Sequence, residues 1–171
     1  GARVVRQSGG GKGQAVREGV SEVEVPYVLM ADGDGTYRPE DADAMLDPLF
    51  SGQADHVIGN RFADMEPGAM TRFNAIGNRL INRLFATIHG RNLQDILSGY
   101  RAFTRSSFER FRLDADGFGI ETELAVECVR NGISTDVVPT TYRSRPGESE
   151  TNLHPIVDGG RIILTLYALA R

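Results

Sequence analysis

Val25-Pro26-Tyr27-Val28-Leu29-Met30-Ala31-Asp32-Gly33-Asp34-Gly35-Thr36 joins a near-continuous apolar run to an acidic turn. A short unbroken apolar run bounded by turn residues reads as a strand buried on both faces of a sheet. The turn after it carries the chemistry. In an extended turn, residues two apart can point the same way, so Asp32 and Asp34 can converge on one cation. Gly33 and Gly35 let the backbone approach a ligand closely. Mg²⁺ takes one or two carboxylates and fills its remaining positions with water and substrate phosphates, so the pair suits a metal–diphosphate site. Asp-Gly pairs also make ordinary turns. Position favours the site here: the pair follows an apolar strand and precedes a helix that opens at Pro39 with acids in its first turn. An EF-hand calcium loop fails, because Thr36, Tyr37 and Asp43 stand where it needs Asp or Asn, Gly and Glu.

Outward from this turn, the chain alternates between strand and helix patterns. On the N-terminal side the expectation is a short strand over 3–7, a glycine loop over 9–13 and a helix over 14–20. On the C-terminal side it is a helix from 39 to about 50, a core strand over 56–59 and a long helix over 70–89. In that helix Phe73, Ile76, Leu80, Ile81, Leu84, Phe85 and Ile88 recur at helical spacing, punctuated by Arg72, Arg79 and Arg83. A core-facing amphipathic helix and an interfacial one both fit this pattern. A strand over 98–104, a helix over 120–130 ending at Asn131-Gly132, a strand over 133–142, a polar loop over 143–152 and a last helix from about 155 complete the chain. Alternation of this kind implies one α/β domain over 1–171 with a largely parallel sheet. Such sheets bind ligands beyond the C-terminal ends of their strands.

Composition narrows the function. Apolar residues make up 40% of the chain, enough for a packed core. The net charge of -4 argues against a general nucleic-acid binder, which carries a basic footprint. Cys128 is the only cysteine, which excludes an intrachain disulfide. Its neighbours Leu124, Ala125, Val126 and Val129 mark it as a buried small hydrophobe. No signal peptide is evident. The apolar stretch over 162–170 is interrupted by Thr165 and too short to span a bilayer, so a soluble chain with cytoplasmic chemistry is expected. Apart from Lys12, every Lys/Arg position is Arg. That bias fits a GC-rich or salt-adapted genome, and it also suits bidentate phosphate contacts.

The glycine run around Lys12 is not a P-loop, since Arg6 and Gly13 occupy positions where that loop requires Gly and Ser or Thr. A different likeness emerges from the segments taken in order. Gly11-Lys12-Gly13 with Ala15 and Gly19, the Met30–Glu40 segment with its two aspartates, Ile58-Gly59-Asn60-Arg61-Phe62, Asp95-Ile96-Leu97-Ser98-Gly99-Tyr100-Arg101, and Tyr142-Arg143-Ser144-Arg145 with Gly147-Glu148-Ser149 together resemble family 2 glycosyltransferases of the GT-A fold. Within that family they are most similar to the dolichyl-phosphate mannose and glucose synthases, and especially to archaeal enzymes of protein N-glycosylation. The family's first strand with its PAYNE-like turn and its second strand ending in DDGS are not matched. The chain thus reads as lacking two βα units, about 60 residues at about 30 per unit.

The resemblance implies a metal-dependent, inverting transfer of a hexose from a nucleotide sugar to dolichyl or polyprenyl phosphate at the inner face of a membrane. UDP-glucose is favoured as donor and GDP-mannose is the alternative. Mg²⁺ or Mn²⁺ would sit on Asp32 and Asp34, with Asp34 the more direct ligand. Lys12, Asp32 and Asp34 would hold the nucleotide sugar. Arg61, Arg72, Arg101, Arg145 and Ser149 would hold the acceptor phosphate, and Asp95 would position it or accept a proton. Competing expectations are surface solvation for the arginines and a cap for Asp95; Glu121 and Glu123, two apart after Gly117-Phe118-Gly119, could face the site, but favourable N-terminal helix charge explains them too and keeps them out of the catalytic set. A family member with a soluble sugar or protein acceptor, or an inactive nucleotide-binding fragment, is the alternative function.

Overall fold

The computed structural model describes residues 1–117, 119–146, 160, 162, 163 and 166. Its elements run α1 (Lys12–Ser21), β1 (Tyr27–Met30), a 3₁₀ turn (Pro39–Asp41), α2 (Ala42–Phe50), β2 (His56–Met65), α3 (Arg72–His89), β3 (Arg101–Thr104), α4 (Arg105–Phe108), α5 (Ile120–Arg130) and β4 (Thr135–Tyr142). Helix α5 has the bounds its sequence predicts. Residues 3–7 form no strand, and the short α4, capped by the Thr104 hydroxyl, has no apolar period long enough to announce it.

The strand order is β1-β3-β2-β4. β2 and β4 are parallel, and β3 runs antiparallel to both β1 and β2. Three strands therefore point one way, as an α/β sheet requires, and β3 is inserted against them. This reversal has a consequence for the site. The loop entering β3 reaches the same sheet end as the exits of β1, β2 and β4.

β1 departs from expectation. It pairs with β3 alone, Tyr27 is exposed and Val28 to Met30 are half-buried. Its apolar run lies at a sheet edge, not in a centre covered on both faces.

β2 sorts its side chains by the two-residue period. Val57 joins Tyr37, Met45, Leu49, Ala54, Tyr100 and Ala102 on the α2 side. Ile58 joins Ile81, Phe85, Leu93, Ile96, Ala125 and Val126 on the α3–α5 side, where Ile162 and Leu166 also pack. Those two residues of the late apolar stretch are core. α3 begins at Thr71, whose hydroxyl accepts from the Asn74 N–H, and ends at Gly90 in the left-handed region.

The first residue of β2 is a fully buried histidine. His56 Nε2 lies 3.3 Å from Arg101 Nη1, and His56 Nδ1 lies 3.1 Å from Cys128 Sγ. A guanidinium only donates, so Nε2 accepts and Nδ1 carries the proton. Burial, reinforced by the charge of Arg101, holds the His56 pKa well below its usual value. Burial likewise pushes the Cys128 thiol up to about 12, so it is an inert core group as its neighbours predict.

The unfolded chain takes up a proton at His56 near pH ~6.5, whereas the folded chain does not. Stability therefore falls as pH drops below that value, by up to about 1.4 kcal/mol per pH unit for one proton. Urea unfolding at pH 7.5, 6.5 and 5.5 should show this slope. His56→Asn should be less stable at neutral pH and should have a slope shallower by one proton. An unchanged slope would mean that His56 is protonated in the folded state.

Candidate active site

The glycine loop before α1 works by close approach. A Cβ on Gly11 would stand 2.0 Å from the Asp116 carbonyl oxygen, and one on Gly13 would stand 1.8 Å from that of Ala115. The Gly13 N–H donates to the Asp116 carbonyl at 2.8 Å. Only glycines allow this contact, and it delivers Lys12 to the end of β1. There Lys12 Nζ sits 2.5 Å from Asp32 Oδ1 and 2.5 Å from Glu121 Oε1. Burial of the ammonium opposes its charge, but Glu121 and Asp32 outweigh this and raise the Lys12 pKa. The ammonium is permanently charged at physiological pH.

Asp34 is fixed by its own turn and by the chain's late loop. Its Oδ1 accepts from the Thr36 hydroxyl at 2.7 Å and the Thr36 N–H at 3.2 Å, and its Oδ2 accepts from Arg145 Nε at 2.9 Å. Partial burial works against the charged carboxylate, but the Thr36 and Arg145 donors prevail and lower its pKa. Backbone pairing brings Arg145 there: Tyr37 bridges Tyr142, and the Arg143 N–H donates to the Thr36 carbonyl.

The loop entering β3 closes the site from the other side. Gly99 lies against the Lys12–Asp32 pair, where a Cβ would stand 2.5 Å from Asp32 Oδ2 and 2.8 Å from Lys12 Nζ. Its N–H donates to the Tyr37 hydroxyl at 3.0 Å. Tyr37 packs between Tyr100 and Tyr142, and burial pushes its hydroxyl up to about 12, so it is a neutral hydrogen-bonding group.

Asp95 and Arg61 form a buried bidentate pair. Arg61 Nε donates to Asp95 Oδ2 at 2.8 Å and Nη2 to Oδ1 at 2.8 Å, and the Arg61 N–H adds a third contact at 3.1 Å. That N–H is available because the β2–β4 ladder is irregular between Asn60 and Asp64. Burial disfavours the Arg61 charge, but Asp95 overcomes it and raises its pKa. The Arg61 guanidinium also lies over the Tyr142 ring, 5.4 Å from its centroid.

Several expected roles do not fit these placements. Arg101 is fully buried, and its guanidinium donates to the carbonyls of Ser98, Ile96 and Glu121. It has no face toward a phosphate and is a structural cation. Asp95 has no exposed oxygen and is bound to Arg61 through both, which leaves it no room to act as a free base. Arg61 in turn is occupied by Asp95. Arg72 is exposed on the first turn of α3 and forms no ion pair among the described residues. Ser149 lies outside the described residues. Asp32, Asp34, Lys12 and Arg145 are the expected residues that the structure brings together.

Gly99 and Tyr37 are the members that sequence reasoning missed, and Glu121 is one that it weighed and set aside. Glu121 and Glu123 read as ordinary helix-terminus acids, but both are buried. Glu123 accepts from the Asp114 and Ala115 N–H groups, which holds the loop that receives Gly13. An acid at a core-facing helical position was the available signal. Among the described residues no cluster of three or more His, Cys, Asp or Glu side chains forms a ready metal cage. Two carboxylates with counter-cations fit a metal that draws its other ligands from water and a diphosphate.

The profile of glycosyl transferase family 2 matches residues 1–112. The chain is 66% identical over 172 residues to Glycosyltransferase AglJ of Haloferax volcanii, covering 100% of this chain and 56% of that protein. It is 34% identical over 164 residues to the Dolichyl-phosphate hexose transferase of the same organism, covering 95% of this chain and 69% of that protein. Among solved structures, it superposes on glucosyl-3-phosphoglycerate synthase from Mycobacterium tuberculosis in complex with Mn²⁺, UDP and phosphoglyceric acid. The TM-score is 0.70 at 20% identity, over 94% of this chain and 54% of the other, a likeness of fold. The chain spans little more than half the length of the first of these relatives.

Removing one partner of a buried ion pair costs about 3–5 kcal/mol, because the other charge is left uncompensated. Asp95→Ala should therefore lower the unfolding free energy by that amount in urea titration. Asp95→Ala combined with Arg61→Met should recover much of the loss. Equal destabilisation by the single and double variants would show that the pair does not act as a unit.

Proposed function

The chain belongs to glycosyl transferase family 2, and from that premise we propose that it forms the donor-phosphate and acceptor-phosphate side of an enzyme that transfers a hexose from a nucleotide sugar to a polyprenyl phosphate. The observation that carries this reading is the pair Asp32 and Asp34 at the exit of β1, each held by a cation from a different loop. Two half-exposed carboxylates with Lys12 and Arg145 beside them form an alternating charge array. Such an array suits two phosphate-bearing substrates and a divalent cation.

Asp32 and Asp34 would hold Mg²⁺ or Mn²⁺, which supplies charge neutralisation to the departing nucleoside diphosphate. Lys12 would then exchange its contact with Asp32 for one with the donor's diphosphate, while Glu121 keeps hold of it. Arg145 would leave Asp34 for the acceptor phosphate, where a guanidinium relieves the repulsion between two anions. An acceptor oxygen attacks the sugar's anomeric carbon, the bond to the diphosphate breaks, and its electrons leave with the nucleotide. One displacement of this kind inverts the anomeric centre. The acceptor is a phosphate monoester with a second pKa near ~6, already largely dianionic at neutral pH. No general base is needed, which agrees with Asp95 being committed to Arg61. The Arg61–Asp95 pair serves as a rigid wall between β2 and the β3 loop.

UDP-glucose is the favoured donor and GDP-mannose the alternative. The Haloferax relative named for dolichyl-phosphate hexose transfer supports a polyprenyl phosphate as acceptor. Such an acceptor is met at a membrane surface, and the proposed reaction runs on the cytoplasmic side of that membrane. Among the described residues no helix is long and apolar enough to cross a membrane.

Full-length protein supplied with radiolabelled UDP-glucose or GDP-mannose, dolichyl phosphate, and Mg²⁺, Mn²⁺ or EDTA should transfer label to lipid from one donor, and only with metal. Asp34→Ala should reduce transfer at least about 100-fold, the scale of losing a charge-stabilising group. Its melting temperature should change little, because Asp34 is half-exposed. Label in water-soluble products alone would favour a soluble acceptor. No transfer by a folded enzyme would sink the reading.

A further inference from the structure

Arg145 reaches the acidic turn from a segment that is held on two sides. β4 ends at Tyr142, and residues 143–146 run on from it to Asp34. On one side the segment touches the acidic turn itself. The Arg143 N–H donates to the Thr36 carbonyl at 2.9 Å, and a Cβ on Gly35 would stand 3.1 Å from the Pro146 ring. On the other side stands the end of β2 and the residue after it. Asp64 and Glu66, two apart, meet Thr141 and Arg143, two apart. Asp64 Oδ2 accepts from the Thr141 hydroxyl at 2.8 Å. The Glu66 N–H continues the parallel ladder with a bond to the Tyr142 carbonyl at 2.9 Å. The Glu66 carboxylate divides between two neighbours: Oε1 lies 3.6 Å from Arg143 Nε, and Oε2 accepts from the Ser144 N–H at 3.4 Å. There the row of acids ends, for position 68 is a glycine with φ 85°. Arg145, next in the alternation after Thr141 and Arg143, forms its ion pair with Asp34 instead.

We propose that Glu66 is a positioning residue for Arg145, pinning the segment so that the guanidinium stays over the site once Asp34 turns to a divalent cation. The inference rests on the reading of Arg145 as the ligand of the acceptor phosphate. While Arg145 is bound to Asp34, the segment has its own anchor in the site and Glu66 adds little. When that ion pair opens, the side-chain hold from Asp34 is lost. Among the described residues, the contacts left to 143–146 come from Thr36, Gly35 and Glu66. Only Glu66 lies outside the turn that the cation engages. A guanidinium on a loose segment must be ordered when phosphate binds, whereas a pinned one is already near its place. Both Glu66 side-chain contacts are long, and both members of its ion pair are roughly half-exposed, so each is weak alone. They converge on two adjacent residues beside Arg145, so their effect is modest in size and confined to one ligand.

Calorimetry on the full-length protein separates this role from a merely structural one. Mn²⁺ is titrated first, and a short-chain, water-soluble polyprenyl phosphate is then titrated at saturating Mn²⁺. Glu66→Ala should bind Mn²⁺ no more weakly than the wild type, because Arg145 is the cation's rival for Asp34. It should bind the polyprenyl phosphate roughly three- to five-fold more weakly, the scale of losing exposed charged contacts. Glu66→Gln keeps an oxygen for the Ser144 N–H and loses the charge facing Arg143, so it should fall between the two. In an Arg145→Gln background, Glu66→Ala should cost no further phosphate affinity, since Glu66 acts through Arg145. The melting temperature of Glu66→Ala should change little. Equal weakening of Mn²⁺ and phosphate, or a further loss in the Arg145→Gln background, would show that Glu66 supports the site at large and would overturn the proposal. Phosphate affinity unchanged in Glu66→Ala overturns it as well, while leaving the acceptor reading standing. A folded wild type that binds Mn²⁺ but no polyprenyl phosphate overturns that reading and the role of Glu66 together.

Discussion

The architecture of the site depends on one buried guanidinium. Arg101 is sealed from solvent and donates to the carbonyls of Ile96, Ser98 and Glu121 and to the ring of His56. A buried cation is costly unless its donors are used, and here it is matched by backbone dipoles, with no carboxylate in direct contact among the described residues. These acceptors belong to three segments: the loop before β3, the start of β2 and the first turn of α5. Each of them delivers something to the site. The loop carries Asp95 and Gly99, β2 leads to Arg61, and α5 carries Glu121. Fixing the three against one another sets the distance between the Arg61–Asp95 wall and the Lys12–Asp32–Glu121 cluster. A cation that looks from sequence like a phosphate ligand is instead the group that holds other residues in register.

The legible parts of this structure are those governed by local patterns. The acidic turn, the α5 boundary with its Asn131-Gly132 stop, and the long α3 were readable because they rest on short-range periodicity and capping. The role proposed for the turn rests on position, since ligand sites collect at strand ends. What was hidden depends on pairing between distant residues. The antiparallel insertion of β3 leaves no trace in a four-residue strand, yet it decides which loops meet Asp32. The edge position of β1 was equally hidden, because an apolar run states only that a strand has apolar neighbours. Residue type misled for the arginines: the same guanidinium fork that binds phosphate also satisfies carbonyls or a carboxylate. Only burial separates Arg101 and Arg61 from Arg145. Glu121 was passed over because its helix-terminus explanation was sufficient on its own, and its partner Lys12 lies more than a hundred residues earlier.

On the proposed reading the site takes three charged species, and electrostatics explains how it exists without them. Two aspartates two residues apart repel each other, and the array would be strained if its cations were free. Each carboxylate is instead paired: Asp32 with Lys12, Asp34 with Arg145. Glu121 adds a second anion to Lys12, so the ammonium keeps one partner when it gives up another. On the proposed reading, substrate binding is an exchange of partners in which no charge is ever left bare. Such exchange is gentler than desolvating an isolated ion, whose burial alone costs several kcal/mol.

Partner exchange also accounts for the split among the site's ion pairs. Arg61 and Asp95 are sealed together, bidentate and reinforced by a backbone contact, so opening them would strand two charges in the interior. Lys12 and Arg145 keep some exposure and contact their aspartates through single atoms, so water and incoming phosphates can replace those contacts. A wall must not rearrange, whereas a ligand must. Depth of burial assigns the two roles to chemically similar pairs. The same distinction explains why the acid best matched to a general base by sequence is the one least able to serve as one. On the proposed reading the acceptor arrives already dianionic and makes no demand that Asp95 could meet only by abandoning Arg61.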